Sequence, residues 1–139
     1  MSSKDMIRKR GLAAFEEMLK ALAENNSVAS TADVPPIAGV CGLGIIKLAR
    51  RSGRPIVPVA VMTSHRFVIP IWDRTIFNLP LGRLVIAVGD PIRVEDTDDA
   101  GYLEKKRKEV EVTLNFLNTQ AKELAAYWRL GERHRPRKL

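Results

Sequence analysis

The fold class is decided by residues 27–61, which read SVASTADVPPIAGVCGLGIIKLARRSGRPIVPVAV. The pattern predicts a short strand over residues 27–31, a loop rich in proline and glycine, a helix, and a second strand over residues 56–61. Gly53 stands where a left-handed residue would end the helix, and Pro55 prevents the helix from continuing. A strand, a crossover helix and a strand in this order form a βαβ unit, so we expect a single α/β domain with a partly parallel, mixed sheet.

The second strand of this unit is almost wholly apolar. Its sequence, IVPVAV, lacks the alternation of polar and apolar residues that a strand with one solvated face shows. We therefore expect it to be covered on both faces. Pro58 lies within this strand although proline has no N–H for a strand ladder, a conflict that composition alone does not resolve. In the helix before it, the apolar residues expected to face the core are Ile45, Ile46, Leu48 and Ala49. The basic residues expected to face solvent are Lys47, Arg50 and Arg51.

A helix is predicted on each side of this unit. The N-terminal helix should end at Asn25 and Asn26, because asparagine tolerates the left-handed conformation. Its expected core-facing residues are Ile7, Leu12, Phe15, Met18, Leu19 and Leu22. The long C-terminal helix should begin after N-cap residues within 96–99. Its expected inward-facing residues are Leu103, Val110, Leu114, Leu117, Ala121, Leu124 and Trp128.

Further strands are predicted between the βαβ unit and the last helix. They cover residues 67–72 and 84–88, with a short extension at residues 92–94. Residues 75–82 contain asparagine, proline and glycine and are predicted to be irregular.

Size and charge bound the class of protein. With 139 residues, 45% hydrophobic and 28% charged, the chain has the length and composition of one globular domain. We expect residues 1–128 to form that domain and residues 129–139 to form a basic, disordered tail. No apolar run approaches a membrane span and the N-terminus lacks the apolar segment of a signal peptide, so a cytoplasmic location is expected. The net charge of +7 favours an anionic partner.

Side chains that could act in catalysis are few. The histidines are His65 and His134, and the lone cysteine is Cys41. Ser64 and His65 are adjacent on a strand, where neighbouring side chains point to opposite faces, so they form a poor nucleophile–base pair; a spatial arrangement with Asp73 stays open. Cys41 precedes a helix N-terminus, where its pKa could fall, but a small buried residue packing the loop is the favoured interpretation. One cysteine allows no internal disulfide and gives no zinc-ligand spacing, and we expect no metal and no cofactor.

The glycine-rich loop is a candidate anion site. Gly39, Gly42 and Gly44 surround the start of a helix, where free backbone N–H groups suit an anion. The order of the glycines fits neither the dinucleotide fingerprint nor the P-loop. Close packing of the helix on the sheet would explain the glycines equally well.

Several blocks of sequence follow one another in an informative order. They are Arg10-Gly11, Ser30-Thr31-Ala32-Asp33, GLGIIKLAR at 42–50, SGRPIVPVAV at 52–61, WDR at 72–74, NLPLGR at 78–83 and GDPI at 89–92. Together they resemble the lysophospholipid acyltransferase superfamily, most closely its small bacterial branch long catalogued as a domain of unknown function. The resemblance covers roughly residues 10–118, and it also accounts for Pro58, which belongs to the Ile-Val-Pro-Val strand of the family.

The resemblance implies acyl transfer from acyl-CoA or acyl carrier protein to a hydroxyl of a lysophospholipid or related glycerolipid. In the family a His-x-x-x-x-Asp pair supplies the general base; this sequence contains no such pair, and it is expected to begin after that block. Asp33 matches the acidic position of the block that binds the acceptor's phosphate, but the Gly and Arg of that block are replaced. Phosphate binding is then expected to fall to backbone N–H groups near Gly42 and Gly44 and to Arg74.

Two functional interpretations follow from the sequence. The first is an acyltransferase-family domain that carries the acceptor side, lacks the general base and transfers little or no acyl chain. It would meet its lipid at the inner face of the cell membrane and could contact acyl carrier protein. An incompletely covered sheet would favour self-association.

The second interpretation is a non-catalytic basic α/β module that binds an anionic membrane surface or nucleic acid. Its charge would come from Arg50, Arg51, Arg54 and the tail. Nucleic acid is the less favoured partner, because most aromatic residues sit in apolar runs and few remain to stack on bases.

Overall fold

The computed structural model describes residues 3–34, 37–64, 66–68, 76–78 and 82–133. Within these ranges, residues 3–10, 33–34, 37–38, 66–68, 76–78 and 128–133 are described by their backbone alone. The elements are α1 (Ser3–Ala23), β1 (Asp33–Val34), β2 (Ile37–Cys41), α2 (Leu43–Ser52), β3 (Val59–Thr63), β4 (Arg66–Val68), β5 (Ile76–Asn78), β6 (Leu84–Val88) and α3 (Ala100–Arg133). The chain is therefore a mixed α/β protein with an N-terminal helix and a long C-terminal helix, as predicted.

The described strands pair two by two, and each pair is antiparallel. β1 pairs with β2, β3 with β6, and β4 with β5. An isolated antiparallel bridge between Ile56 and Ile92 lies beyond the Val59–Val88 end of the β3–β6 pair. The parallel pairing expected around α2 is not among the described pairs, because β2 and β3 each take an antiparallel neighbour instead of each other.

The first strands lie later in the chain than predicted. Residues 27–32 form no strand, and β2 occupies part of the stretch predicted to be a loop. The polar residues Ser27, Ser30 and Thr31 stay exposed, whereas β2 ends at Cys41 in the core, so burial selects the later segment. Likewise, β5 lies inside residues 75–82, which the sequence predicted to be irregular. The predicted strand at 67–72 overlaps β4, and residues 69–72 lie outside the described part.

Three predicted helix boundaries are confirmed. Asn25, with φ of 62°, takes the left-handed conformation just after α1. Gly53, with φ of 66°, caps α2 and donates its N–H to the carbonyl oxygen of Ala49 at 2.9 Å. At the start of α3, the Asp99 carboxylate accepts a hydrogen bond from the Gly101 N–H at 2.8 Å. α3 continues to Arg133, so the first residues expected in the tail belong to the helix, and residues 134–139 lie outside the described part.

Two buried clusters form the core, and α3 contributes to both. The first cluster contains Cys41, Ile46, Ala49, Ile92, Val94, Leu103 and Val110. The second contains Ala60, Met62, Leu117, Ala121 and Ala125. The prediction that Leu124 faces inward is wrong, since that side chain is 50% exposed. The small side chains of Ala121 and Ala125 let α3 lie close to the sheet. These two residues, and not Leu124, therefore contact β3.

α1 is more peripheral than the sequence predicted. Leu12 is 62% exposed, and the apolar residues Phe15, Met18, Leu19 and Leu22 are only half-buried. α1 packs on α2. Because α2 has 10 residues and α1 has 21, α2 covers only part of the apolar face of α1. The predicted Ile7 contact lies outside the described side chains.

β3 is covered on one face only, which corrects the prediction of a strand buried on both faces. Ala60 and Met62 are buried beneath α3, whereas Val59 and Val61 are 45% and 48% exposed. Among the described elements, α3 covers one side of the β3–β6 pair. Pro58 immediately precedes β3, where its missing N–H removes no hydrogen bond from the strand ladder.

Candidate functional site

Pairing of β1 with β2 brings Asp33 close to the start of α2. Asp33 lies opposite Cys41 in the register of the two strands, and Gly42 follows directly in the chain. The Gly42 N–H donates to the carbonyl oxygen of Ala32 at 2.9 Å. The backbones of two residues expected at a phosphate site therefore lie together, while the N–H of Gly42 itself is already occupied.

The N-terminus of α2 presents backbone donors without a side-chain cap. Gly42 is the N-cap residue in an extended conformation, and the first turn carries no acidic side chain. The next N–H groups, of Leu43, Gly44 and Ile45, have no carbonyl partner inside the helix. At this end the helix dipole is positive, so the donors are arranged to receive a negatively charged group.

Gly44 leaves open space in front of these donors. A Cβ atom built on it would meet no atom within 4 Å, and the same holds for Gly11 on α1. Close packing of the helix therefore does not require glycine at 44, and the packing explanation left open by the sequence does not apply to this residue.

A cleft of about 300 Å³ opens at this helix end. Phe15 and Met18 of α1 form one wall, and Ile45 and Leu48 of α2 form the other, so the walls are apolar. The remaining boundary is polar and backbone-rich. It consists of Gly11, Ser30, Thr31, Ala32, Gly42 and Gly44. A site with apolar walls and backbone donors at one end suits a molecule that is both apolar and anionic.

Arg51, in α2, and Arg54, just after it, contact α1 and the residues that follow α1. Arg51 lies 3.3 Å from the Glu16 carboxylate and stacks over the Phe15 ring, 5.7 Å from its centroid. Arg54 donates to the side chain of Asn25 and to the carbonyl oxygen of Leu22. These surface contacts join α1 to the end of α2 beside the cleft.

Arg50 is engaged on the other side of α2. It donates to the carbonyl oxygen of Thr97 at 3.0 Å and pairs with the carboxylate of Asp98. The three arginines that the basic-module interpretation assigned to an anionic partner are thus all engaged within the chain.

A charged clamp holds the strand that leads into the site. The Glu111 carboxylate accepts a hydrogen bond from the Cys41 N–H at 3.0 Å, and Arg107 donates to the Cys41 carbonyl oxygen at 2.9 Å. Lys108, Arg107 and the Cys41 N–H hold the pKa of Glu111 at about 2, below its ordinary value of 4.5. Glu104 and Glu111 in turn raise the pKa of Arg107. The clamp fixes the backbone immediately before Gly42.

The other candidate side chains do not join this cleft in the described part of the chain. Cys41 is 3% exposed and packs in the first core cluster, so the buried interpretation is confirmed, with the residue in β2 instead of a loop. The Ser64 hydroxyl accepts a hydrogen bond from the Arg83 N–H at 2.9 Å, where it ties β3 to the start of β6. Arg74, Asp73, His65 and His134 lie outside the described residues.

Sequence reasoning missed the role of α1 in this site. Phe15 and Met18 were assigned to the core because their spacing is that of any core-facing helix. The block Arg10-Gly11 was the available signal, since Gly11 lines the same cleft. Over the residues that the structure describes, no cluster of His, Cys, Asp or Glu could hold a metal ion, and no helix is both long and apolar enough to cross a membrane.

Comparison with known proteins gives a partial match to a protein of unassigned function. The chain is 29% identical over 86 residues to an uncharacterized protein of Rickettsia prowazekii (strain Madrid E). The match covers 60% of this chain and 39% of that protein, so the chain spans about two fifths of its relative's length. No family model matches the chain, and no solved structure gives a significant match.

Proposed function

We propose that the chain is the acceptor-binding part of an acyltransferase of the lysophospholipid type. It binds a lysophospholipid or related glycerolipid in the cleft between α1 and α2. The anionic headgroup lies at the N-terminus of α2, and the first part of the acyl chain lies between the walls at Phe15 and Ile45.

One observation carries this proposal. Three blocks that resemble the acyltransferase superfamily are far apart in sequence, and all three line the same cleft: Gly11 from the first, residues 30–32 from the second, and Gly42 with Gly44 from the third. If the three blocks were alike only because they pack in the same way, their residues would not be expected to surround one open cleft.

The chemistry of the cleft agrees with an amphiphilic ligand. The N–H groups of Leu43 and Gly44 can donate hydrogen bonds to phosphate oxygens at the positive end of the helix. The apolar walls remove the chain of the lipid from water. The volume of about 300 Å³ is at the small end of ligand sites, so it accommodates a headgroup and a short part of the chain.

Acyl transfer itself requires a base. The base accepts the proton of the acceptor hydroxyl as its oxygen attacks the thioester carbonyl of acyl-CoA or acyl carrier protein. The C–S bond then breaks, and the thiolate that leaves takes up the proton from the base. The sequence holds no His-x-x-x-x-Asp to do this. Without a positioned base roughly 10² to 10⁴-fold of rate is lost, so we expect binding with little or no turnover. A lipid ligand would also bring the protein to the inner face of the cell membrane.

Calorimetric titration with a short-chain lysophosphatidic acid, kept below its micelle concentration, tests the proposal. The Gly44→Leu variant fills the cleft from α2, and we expect its affinity to fall about tenfold or more. Ala13→Leu adds a similar side chain to the exposed surface of α1, away from the cleft, and should bind like the wild type.

The outcomes separate binding from catalysis. Equal affinity of the wild type and Gly44→Leu, or no binding by either, would contradict the acceptor site. Formation of acylated product from acyl-CoA by the chain alone would contradict the absence of a base while leaving the site intact.

A further inference from the structure

The face of the β3–β6 pair that points away from α3 is apolar and exposed. On the β3 side it consists of Val57, Val59 and Val61, which are 45% to 48% exposed. On the β6 side it consists of Leu84, Ile86 and Val88, which are 57% to 60% exposed. Thr63 closes one end, opposite Leu84.

The arrangement of these side chains is regular. Val59 pairs with Val88 and Val61 with Ile86 across the two strands, so the side chains form adjacent rows on one surface. A strand with one solvated face normally carries polar residues on that face, but β3 and β6 carry aliphatic ones. The sequence is therefore that of an inner sheet layer, and α3 covers only the opposite side.

We propose that a second copy of this chain covers this face, with the two β3–β6 pairs packed face to face about a two-fold axis. Two identical aliphatic faces match each other in this arrangement, and sheets pack face to face about 10 Å apart. The described positions of the face carry no charge, which gives an anionic partner nothing to pair with.

The area is sufficient for such a contact. The six aliphatic residues expose on the order of 500 Å² in total, at the upper end of the largest apolar patch on a typical monomer. Two copies together bury about 1,000 Å², the lower limit for a specific interface. The face lies on different elements from the cleft between α1 and α2, so the inference does not rest on the proposed function.

The net charge of the chain makes the salt dependence of dimerisation opposite to that of binding an anionic partner. Each copy carries a net charge of +7, so the two copies repel each other at low ionic strength. Added salt screens this repulsion and leaves the aliphatic contact intact. Dimerisation should therefore strengthen with salt, whereas binding to an anionic partner weakens with salt.

Sedimentation equilibrium of the full chain over a range of concentrations tests the proposal. We expect a monomer–dimer equilibrium in the wild type that Ile86→Lys weakens about tenfold or more, because a buried ammonium would have no partner. The control is Val112→Lys, which places the same charge on an apolar residue of α3 that is 65% exposed. It should dimerise like the wild type.

A cross-linking measurement keeps the test independent of variant stability. Cys41 is 3% exposed, so an introduced cysteine is the one that reacts with a short bismaleimide. Ile86→Cys should give covalent dimers, and Val112→Cys should not.

Three outcomes would overturn the proposal. The first is a wild type that stays monomeric at every concentration and salt level. The second is a dimer that Ile86→Lys does not weaken. The third is an Ile86-dependent attachment to zwitterionic lipid vesicles by a monomer, which would make the face a membrane contact.

Discussion

The Glu111 carboxylate in α3 accepts a hydrogen bond from the backbone N–H of Cys41, 70 positions earlier in the chain, at 3.0 Å. Arg107, one turn before Glu111, donates to the carbonyl oxygen of the same residue. One helix thus holds both polar groups of a single peptide residue at the end of β2, directly before the N-terminus of α2. The position of the candidate site depends on this long-range contact.

Glu111→Gln should destabilise the protein in a pH-dependent way. The pKa of Glu111 is lowered from 4.5 to about 2, so its carboxylate stabilises the folded state fully above pH 4.5. This contribution is lost as the pH falls from 4.5 towards 2, because over that range the unfolded chain binds a proton at Glu111 that the folded state does not. Thermal melts of the two proteins should differ most near neutral pH and converge between pH 4.5 and 2.

The control for this experiment is Glu104→Gln. Glu104 pairs with the same Arg107 but is exposed and does not contact β2, so its loss should matter less. A difference between wild type and Glu111→Gln that stays constant across the pH range would contradict the assignment.

The same substitution at two glycines should have opposite effects. Gly44→Ala should raise the free energy of unfolding by up to about 1 kcal/mol, because alanine favours a helix and the added methyl group meets no atom. Gly39→Ala should lower it by about 1–2 kcal/mol, since Gly39 has φ of +79° and a Cβ there would lie 3.1 Å from Asn115 Oδ1. Urea unfolding measures both changes. If both variants raised, or both lowered, the free energy of unfolding, the surroundings described for these two glycines would be contradicted.

Arg54→Met should loosen α1 without unfolding the protein. Arg54 holds the C-terminus of α1 through Leu22 and Asn25 at the surface, where such contacts contribute at most about 1 kcal/mol. We expect faster amide hydrogen exchange in the last turn of α1 and little change in Tm. Lys47→Met, an exposed position on α2, is the matched control. Unchanged exchange in α1 would show that its position does not depend on this arginine.

Ala121→Leu should destabilise the second core cluster. Ala121 is fully buried against β3, and a larger side chain forces α3 away from the sheet, at a cost of about 1–3 kcal/mol. Leu124→Ala, on the same helix and half exposed, should change stability by less than about 0.5 kcal/mol. Chemical denaturation decides the matter, and equal effects of the two variants would mean that the contact line of α3 lies elsewhere.

The helices were the most predictable part of this fold. Their boundaries depend on local chemistry, namely a left-handed residue at Asn25 and Gly53 and a carboxylate cap at Asp99, and all three signals lie within a few residues of the feature they predict. The strands were less predictable, because strand position depends on partners far away in sequence. β2 is such a case, since its end is fixed by a contact with α3.

The candidate site was predictable from sequence only in part. The glycines at the start of α2 predicted its free backbone N–H groups. The structure adds that pairing of β1 with β2 places the Asp33 backbone beside them. The opposite wall was not predictable, because Phe15 and Met18 have the spacing of ordinary core residues and only the docking of α1 on α2 opens a cleft in front of them.

α3 has a consequence for how the protein unfolds. Its first half buries Leu103 and Val110 in one cluster, and its second half buries Leu117, Ala121 and Ala125 in the other. Because a helix propagates order along its length, loss of either cluster destabilises the helix that the other requires. The two small clusters and the β1–β2 and β3–β6 strand pairs are in this way coupled into one cooperative unit, and heating should melt them in a single transition.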